Sequence, residues 1–287
     1  MKTSRILFVS VFALVAAGSL VRAEKTLIVD QSRSSARAAQ SRSSSSSNDW
    51  CKDEGNWGDR YERSCDVRTL TINAPATLDV ETSNGSIAVT GGARRDVSIQ
   101  VKVIGQAETM SEAKSIADDV KILTDGGTIR AGGPRTNGGH RGWWVSYRIE
   151  TPTRQNVSAG SSNGSVTLTG LSGTLRADTS NGSVHADDLA GDVKVTTSNG
   201  SLQVALSGST WVGAGLEATT SNGSLRVDMP RDYSARLVAR TSNGSLNVDR
   251  PITMQGRIGR DIDTTIGKGG PTLRFHTSNG SLNIRER

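Results

Sequence analysis

The sequence is poor in cysteine, histidine and aromatic residues. Its 287 residues hold two cysteines and three histidines, and Phe, Trp and Tyr together make up 4%. Zinc and iron–sulfur centres need Cys and His gathered at short spacing. Here no histidine lies near Cys51 or Cys65, and His140, His185 and His276 are scattered, so neither a metal site nor a cofactor is expected. The His-Glu-x-x-His, Gly-x-Ser-x-Gly and P-loop patterns that mark common hydrolases and nucleotide enzymes do not occur. The formal charge is only +6, with arginines spread along the chain. A nucleic-acid partner calls for a concentrated basic face, and none is expected.

The one long apolar run lies at the start. Lys2 and Arg5 precede Ile6 to Ala17, and the segment closes on Val21-Arg22-Ala23. This is the layout of a secretory signal peptide over residues 1–23, cut before Glu24. The run is short for a membrane span, although an uncleaved anchor is the alternative. Losing Lys2, Arg5 and Arg22 brings the charge to +3. The mature protein is expected to be exported to the periplasm, cell surface or medium, with no transmembrane segment. Residues 24–49, with "QSRSSARAAQSRSSSSSND" at 31–49, hold too few large apolar groups to order and read as a flexible linker. In an exported chain, Cys51 and Cys65 are expected to form a disulfide. The loop at 50–66 would then stabilise the fold by about 3 kcal/mol.

What the sequence does have is a repeat. Ser-Asn-Gly-Ser occurs seven times, with its asparagine at 84, 163, 181, 199, 222, 243 and 279. The intervals are 79, 18, 18, 23, 21 and 36. The last equals two coils of 18, which places a degenerate turn near Gly259 to Asp263. Alternating apolar residues follow each turn, as in Val184 and Ala186 or Leu202 and Val204, and a second short strand precedes the next. Alternation marks a strand with one buried face. A coil of two short strands cannot bury that face alone, but a stack of coils can. The expected fold is mainly β, a β-solenoid over residues 67–287, with an antiparallel β-sandwich as the alternative because Asn-Gly is also a hairpin signal.

The repeated letters then have a physical reading. Asn and Gly tolerate the left-handed backbone of a sharp turn. If turns stack about 4.8 Å apart, Asn84, Asn163, Asn181, Asn199, Asn222, Asn243 and Asn279 can bond side chain to side chain, flanked by hydroxyl rows of Ser and Thr. Each turn is also a glycosylation sequon, but glycans on adjacent rungs would crowd one another. "RTLTINAPATLDVETSNGSIAV" (68–89) and "SYRIETPTRQNVSAGSSNGSVTL" (146–168) share one pattern and suggest a duplication. Thr109 to Lys121 reads as a helix that covers an end or face of the stack. It has a Thr109/Glu112 capping box and a stripe of Met110, Ala113, Ile116, Ala117 and Val120. The closing Arg285-Glu286-Arg287 reads as a charged edge that discourages stacking between molecules.

Few residues can carry chemistry. Asp187 and Asp188 could form an acid/base pair on a polysaccharide, which makes a β-helix glycan-degrading enzyme the alternative reading; no catalytic residue is assigned. The aromatics suggest binding instead. Trp143 and Trp144 are adjacent in a strand, so their rings point to opposite faces. Trp211, Tyr233 and Met254 fall at nearly the same place in successive coils, the first two of them lengthened, and lengthened loops are where solenoids often bind. Trp143, Trp144, Trp211 and Tyr233, with Arg141 and Arg231, are the candidate contacts; a core role for Trp211 and Tyr233 is the competing reading.

The periodic "TSNGSL" and "TSNGSV" units over residues 65 to 287 resemble the bacterial putative adhesin family. The resemblance implies an exported β-strand-repeat domain with Ser/Asn-Gly turns in a β-helical stack. It supplies no catalytic residues, and the disulfide loop and the linker fall outside it. The expected function is a non-catalytic binding module of the cell envelope or surface, with adhesion as one form of that role. Its partner would be a glycan or an envelope protein. A structural or signalling envelope protein is a further alternative.

Overall fold

The computed structural model describes residues 48–52, 60–136, 140–249 and 259–287. The expected signal peptide, nearly all of the linker, and Met254 lie outside them. No helix among the described residues is long and apolar enough to cross a membrane.

The elements in chain order are α1 (Asn48–Lys52), β1 (Glu62–Asn73), β2 (Thr77–Asn84), β3 (Ile87–Gly92), β4 (Asp96–Ala107), α2 (Met110–Asp119), β5 (Lys121–Asp125), β6 (Thr128–Gly132) and β7 (Gly142–Pro152). The repeats follow as β8 (Asn156–Asn163), β9 (Val166–Thr169), β10 (Ser172–Thr179), β11 (Val184–Asp187), β12 (Ala190–Thr197), β13 (Leu202–Ala205), β14 (Gly215–Asn222) and β15 (Leu225–Met229). The chain closes with β16 (Ala235–Asn243), β17 (Leu246–Asp249), β18 (Asp261–Ile266), β19 (Thr272–Asn279) and β20 (Leu282–Glu286).

These strands form two sheets. The first has the order β1-β4-β7-β3-β9-β11-β13-β15-β20-β17; the second runs β18-β16-β19-β14-β12-β10-β8-β2-β6-β5. Each coil places one strand in the second sheet, crosses through Ser-Asn-Gly-Ser, and places the next strand in the first. Coils pair in parallel, in register, so the residue after each turn forms one buried row: Ile87, Val166, Val184, Leu202, Leu225, Leu282 and Leu246. The chain is thus mainly β and solenoid-like, with an aliphatic core between the sheets.

The end nearest the N-terminus is built differently. There β4 pairs antiparallel with β1 and β7, and β5 pairs antiparallel with β6. Helix α2 closes this end. Thr109 caps it by accepting from the Glu112 backbone N–H at 3.3 Å, and Ala113, Ile116 and Ala117 are buried while Met110 stays exposed. The helix crosses so near Gly105 that a Cβ there would lie 2.2 Å from the Ala113 carbonyl oxygen. Buried Arg68 donates to the Ala117 and Val120 carbonyls at the helix C-terminus, where a cation favours the helix dipole.

The Cys51–Cys65 disulfide joins α1 to β1, so Cys65 lies in a strand that starts at Glu62, not in a loop. The bond holds Trp50 on the outer face of the first sheet, where its ring lies 4.1 Å from the Arg148 guanidinium and 5.3 Å from the Lys102 ammonium. Such cation–π contacts are worth about 0.5–2 kcal/mol each.

Three expectations are corrected by the last third of the chain. Among its described residues, the 36-residue interval holds no degenerate turn near Gly259 to Asp263: β18 occupies Asp261–Ile266 and pairs antiparallel with β16. The final coil, β19 and β20, is not at the edge but inserts between β14/β15 and β16/β17. Arg285 and Glu286 therefore sit in an interior strand and guard no edge.

Candidate functional site

The turn edge shows what each repeated letter does. Along the stack, each asparagine Nδ2 donates to the Oδ1 of its neighbour: Asn163 to Asn84, Asn181 to Asn163, Asn199 to Asn181 and Asn222 to Asn199 at 3.0 Å, Asn279 to Asn222 at 2.9 Å, and Asn243 to Asn279 at 3.0 Å. The hydroxyl two residues before each turn asparagine, a threonine in six turns and Ser161 in the other, donates inward instead of joining a hydroxyl row. Thr179 Oγ1 reaches the Gly164 carbonyl at 2.8 Å, and Thr197 Oγ1 reaches Gly182 at 2.7 Å.

The glycine is not required for a left-handed turn. Of the seven turn glycines only Gly85 has a positive φ, and no turn asparagine has one. The requirement is close approach: a Cβ on Gly182 would sit 2.1 Å from the Gly164 oxygen, and one on Gly200 would sit 1.9 Å from the Gly182 oxygen.

Beside this edge, on the outer face of the second sheet, lies a groove of about 710 Å³. Its floor comes from β2, β8, β10 and β12 and follows two in-register columns: Glu81, Gly160, Asp178 and Thr196, then Ser83, Ser162, Ser180 and Ser198. Arg130, Ala131, Thr136, Trp143 and Trp144 border it. Arg130 pairs with Glu81 at 3.1 Å and with Asp79 at 3.4 Å. The Trp143 indole N–H donates to the Pro134 carbonyl at 3.0 Å, and its ring lies where a Cβ on Gly133 would be. The aromatic wall is therefore held from behind.

The aromatic candidates separate. Trp143 packs partly on the core, whereas Trp144 lies beneath Arg63, 5.2 Å from its guanidinium. Trp211 and Tyr233 are not exposed contacts: they are 4% and 1% accessible and belong to the core. The lengthened coils fold these rings inward, because a loop that bulges past the strands must bury apolar surface of its own. Trp211 donates its indole N–H to the Gly191 carbonyl at 3.0 Å, and burial pushes the Tyr233 phenol up to about 12. Arg141 pairs with Glu112 at 3.0 Å, and Arg231 pairs with Glu286 at 2.6 Å, so neither lines the groove.

Asp187 lies on the outer face of the first sheet between Thr169 and Ala205, while Asp188 occupies a turn with φ 52° and accepts from Ser207. No second carboxylate faces Asp187 on either adjacent strand. Among the described residues, no group of three or more His, Cys, Asp or Glu could hold a metal.

The groove acids Glu81 and Asp178 escaped the sequence reading. A signal was present: with coils aligned on their asparagines, the third residue before each Asn is Glu81, Gly160, Asp178, Thr196, Thr219, Arg240 and His276. This is one outward column.

Comparison with known proteins places the repeats. The family model described as Toastrack DUF4097 matches residues 65–285. Among solved structures, the chain is similar to a putative cell adhesion protein from Clostridium sporogenes, at 10% identity over 79% of this chain and 100% of that one, with a TM-score of 0.41. It is similar to a putative adhesin from Bacteroides fragilis, at 10% identity over 78% and 97%, with a TM-score of 0.38. A putative lipid binding protein from Parabacteroides distasonis is 12% identical over 77% and 96%, with a TM-score of 0.28. No curated protein matches this chain.

Proposed function

We propose that this chain, which belongs to the Toastrack DUF4097 family, is a non-catalytic exported binding module that takes a glycan in the groove beside Trp143. The observation that carries this reading is the lining. One fixed indole, two carboxylates and rows of hydroxyls stand along a rigid floor. Sugars present apolar C–H faces that suit an aromatic ring and hydroxyls that suit carboxylate and serine acceptors. The rungs repeat about every 4.8 Å, so the floor offers the same hydrogen-bonding groups at regular intervals along an extended chain. The seat is stiff, and little ordering entropy opposes binding.

The test titrates residues 24–287 with envelope and extracellular polysaccharides, following tryptophan fluorescence and assaying for cleavage products in the same tubes. A saturable shift without products is expected. Trp143→Ala should weaken binding by tenfold or more, and Ser180→Trp, which fills the floor from an exposed position, should do the same without touching the core. Cleavage products would transfer the protein to the enzyme class. Binding that survives both substitutions would remove the groove from the reading.

A further inference from the structure

The position of the last coil has a consequence for assembly. Strands β19 and β20 follow β16 and β17 in the chain, yet they lie inside them in the stack, each between two parallel neighbours. The slot they fill is general in register. Leu273 faces Leu216 on one side and Leu237 on the other; Leu282 likewise faces Leu225 and Leu246. The asparagine line runs Asn222, Asn279, Asn243 with bonds of 2.9 and 3.0 Å. Nothing in these pairings requires that the inserted coil belong to the same molecule.

Order of synthesis adds a second argument. β16 and β17 precede β19 and β20 in the chain and carry the same turn, so they can dock first on β14/β15 in an equivalent register. The final coil must then enter between elements that already match each other, and repeat proteins are prone to exchange identical elements under such competition. The crossover that delivers β19 is short and constrained. Residues 267–271 pass over the start of β16, with Gly267, Gly269 and Gly270 at φ 56°, 78° and 145°. A Cβ on Gly267 would lie 2.3 Å from Ser234 Oγ. Tight hinges of this kind favour exchange, because the constraint is relieved when the hinge opens.

We propose that the slot between β14/β15 and β16/β17 is an interaction surface for a second copy of this chain, which fills it with its own β19–β20 coil. Reciprocal exchange closes a dimer; exchange passed from one molecule to the next builds a linear array. Either product would present several groove-bearing faces together and raise avidity without any new ligand contact. The inference stands on the strand order and the crossover at 267–271, and does not depend on what the groove binds.

The test uses variants that each add one cysteine to a chain whose Cys51–Cys65 disulfide is kept oxidised throughout, placed on outward residues that face each other across the slot. Glu217 on β14 faces Arg274 on β19, and Val238 on β16 faces Arg274 from the other side. Glu217→Cys protein is co-refolded with Arg274→Cys protein, and Val238→Cys protein with Arg274→Cys protein, each followed by a short bismaleimide linker and a denaturing gel. A double variant, Glu217→Cys with Arg274→Cys in one chain, reports that the site folds and links. Exchange predicts covalent dimers in both mixtures, increasing with protein concentration. Internal linking in the double variant with no dimer in either mixture would overturn the proposal, as would dimers in only one mixture, since an exchanged coil must touch both walls. If the Val238 variant fails to fold, Ser242→Cys with Ser278→Cys reads the same wall nearer the turn and decides in its place.

Discussion

At the residue scale, Gly182 shows how a repeated letter acquires its meaning from a neighbour one coil away. Its φ is unremarkable, but the Gly164 oxygen occupies the place of a side chain. Gly182→Ala should therefore destabilise by about 1–3 kcal/mol through overpacking against backbone, as read by urea unfolding, whereas Gly208→Ala at an open position with φ 69° should cost only its backbone strain of about 1 kcal/mol. The two buried tyrosines make a different prediction. Tyr147 is 1% accessible and its hydroxyl has no hydrogen-bond partner. Tyr147→Phe removes that unsatisfied group and should leave stability unchanged or raise it by about 1 kcal/mol.

Burial lifts both phenols above the ordinary value near 10, Tyr233 to about 12. Above pH 10 the unfolded chain releases these protons while the folded chain retains them, so stability holds below pH 10 and falls as pH rises from 10 toward 12. Melting curves across that range should show the loss, and Tyr233→Phe should reduce it while the share due to Tyr147 remains.

At the element scale, the turn edge and the helix seat can be tested separately. Asn199 gives one side-chain bond and accepts another, whereas Asn243 at the end of the line only gives one. With about 0.5–1.5 kcal/mol for each net hydrogen bond, Asn199→Ala should cost roughly twice as much as Asn243→Ala in chemical unfolding. Arg68→Ala should be more damaging, about 2–3 kcal/mol, since it leaves the Val120 carbonyl without its donor and the Ala117 carbonyl with only the Val120 N–H.

Much of this scale was legible in advance. The alternation after each turn predicted strands, and Thr109 with Glu112 marked where α2 starts, because both signals are local. The threonine hydroxyls were not legible: from Thr179 onward their acceptors are glycine carbonyls on a neighbouring coil, and only stacking brings the two together. Trp211 and Tyr233 stood open between contact and core for a similar reason. Their spacing revealed that the loops lengthen there, but the direction in which a lengthened loop folds depends on which apolar surface lies beneath it.

At the scale of the whole molecule, stability in a stack is carried by contacts between neighbouring coils, so the ends matter most. One end is closed by α2 and the antiparallel strands around β4, with the disulfide holding Trp50 against β4 and β7. Reduction of that disulfide should lower stability by about 3 kcal/mol and change Trp50 fluorescence while the repeats keep their far-ultraviolet circular dichroism. The sequence by itself determined the class of fold, the seven turns, the helix and the pairing of the two cysteines. Each follows from local periodicity or from a choice with only one partner. It did not determine the order of the coils. Seven near-identical turns can neighbour one another in many sequences of stacking, and the repeat letters do not distinguish among them. Only the tertiary structure decided that β19 and β20 lie inside β16 and β17. That choice rests on the antiparallel β18 and the tight crossover at 267–271, contacts between distant segments that no repeat unit encodes. The groove was decided in the same way, since its acids and hydroxyls stand one per coil and become a surface only when the coils are stacked.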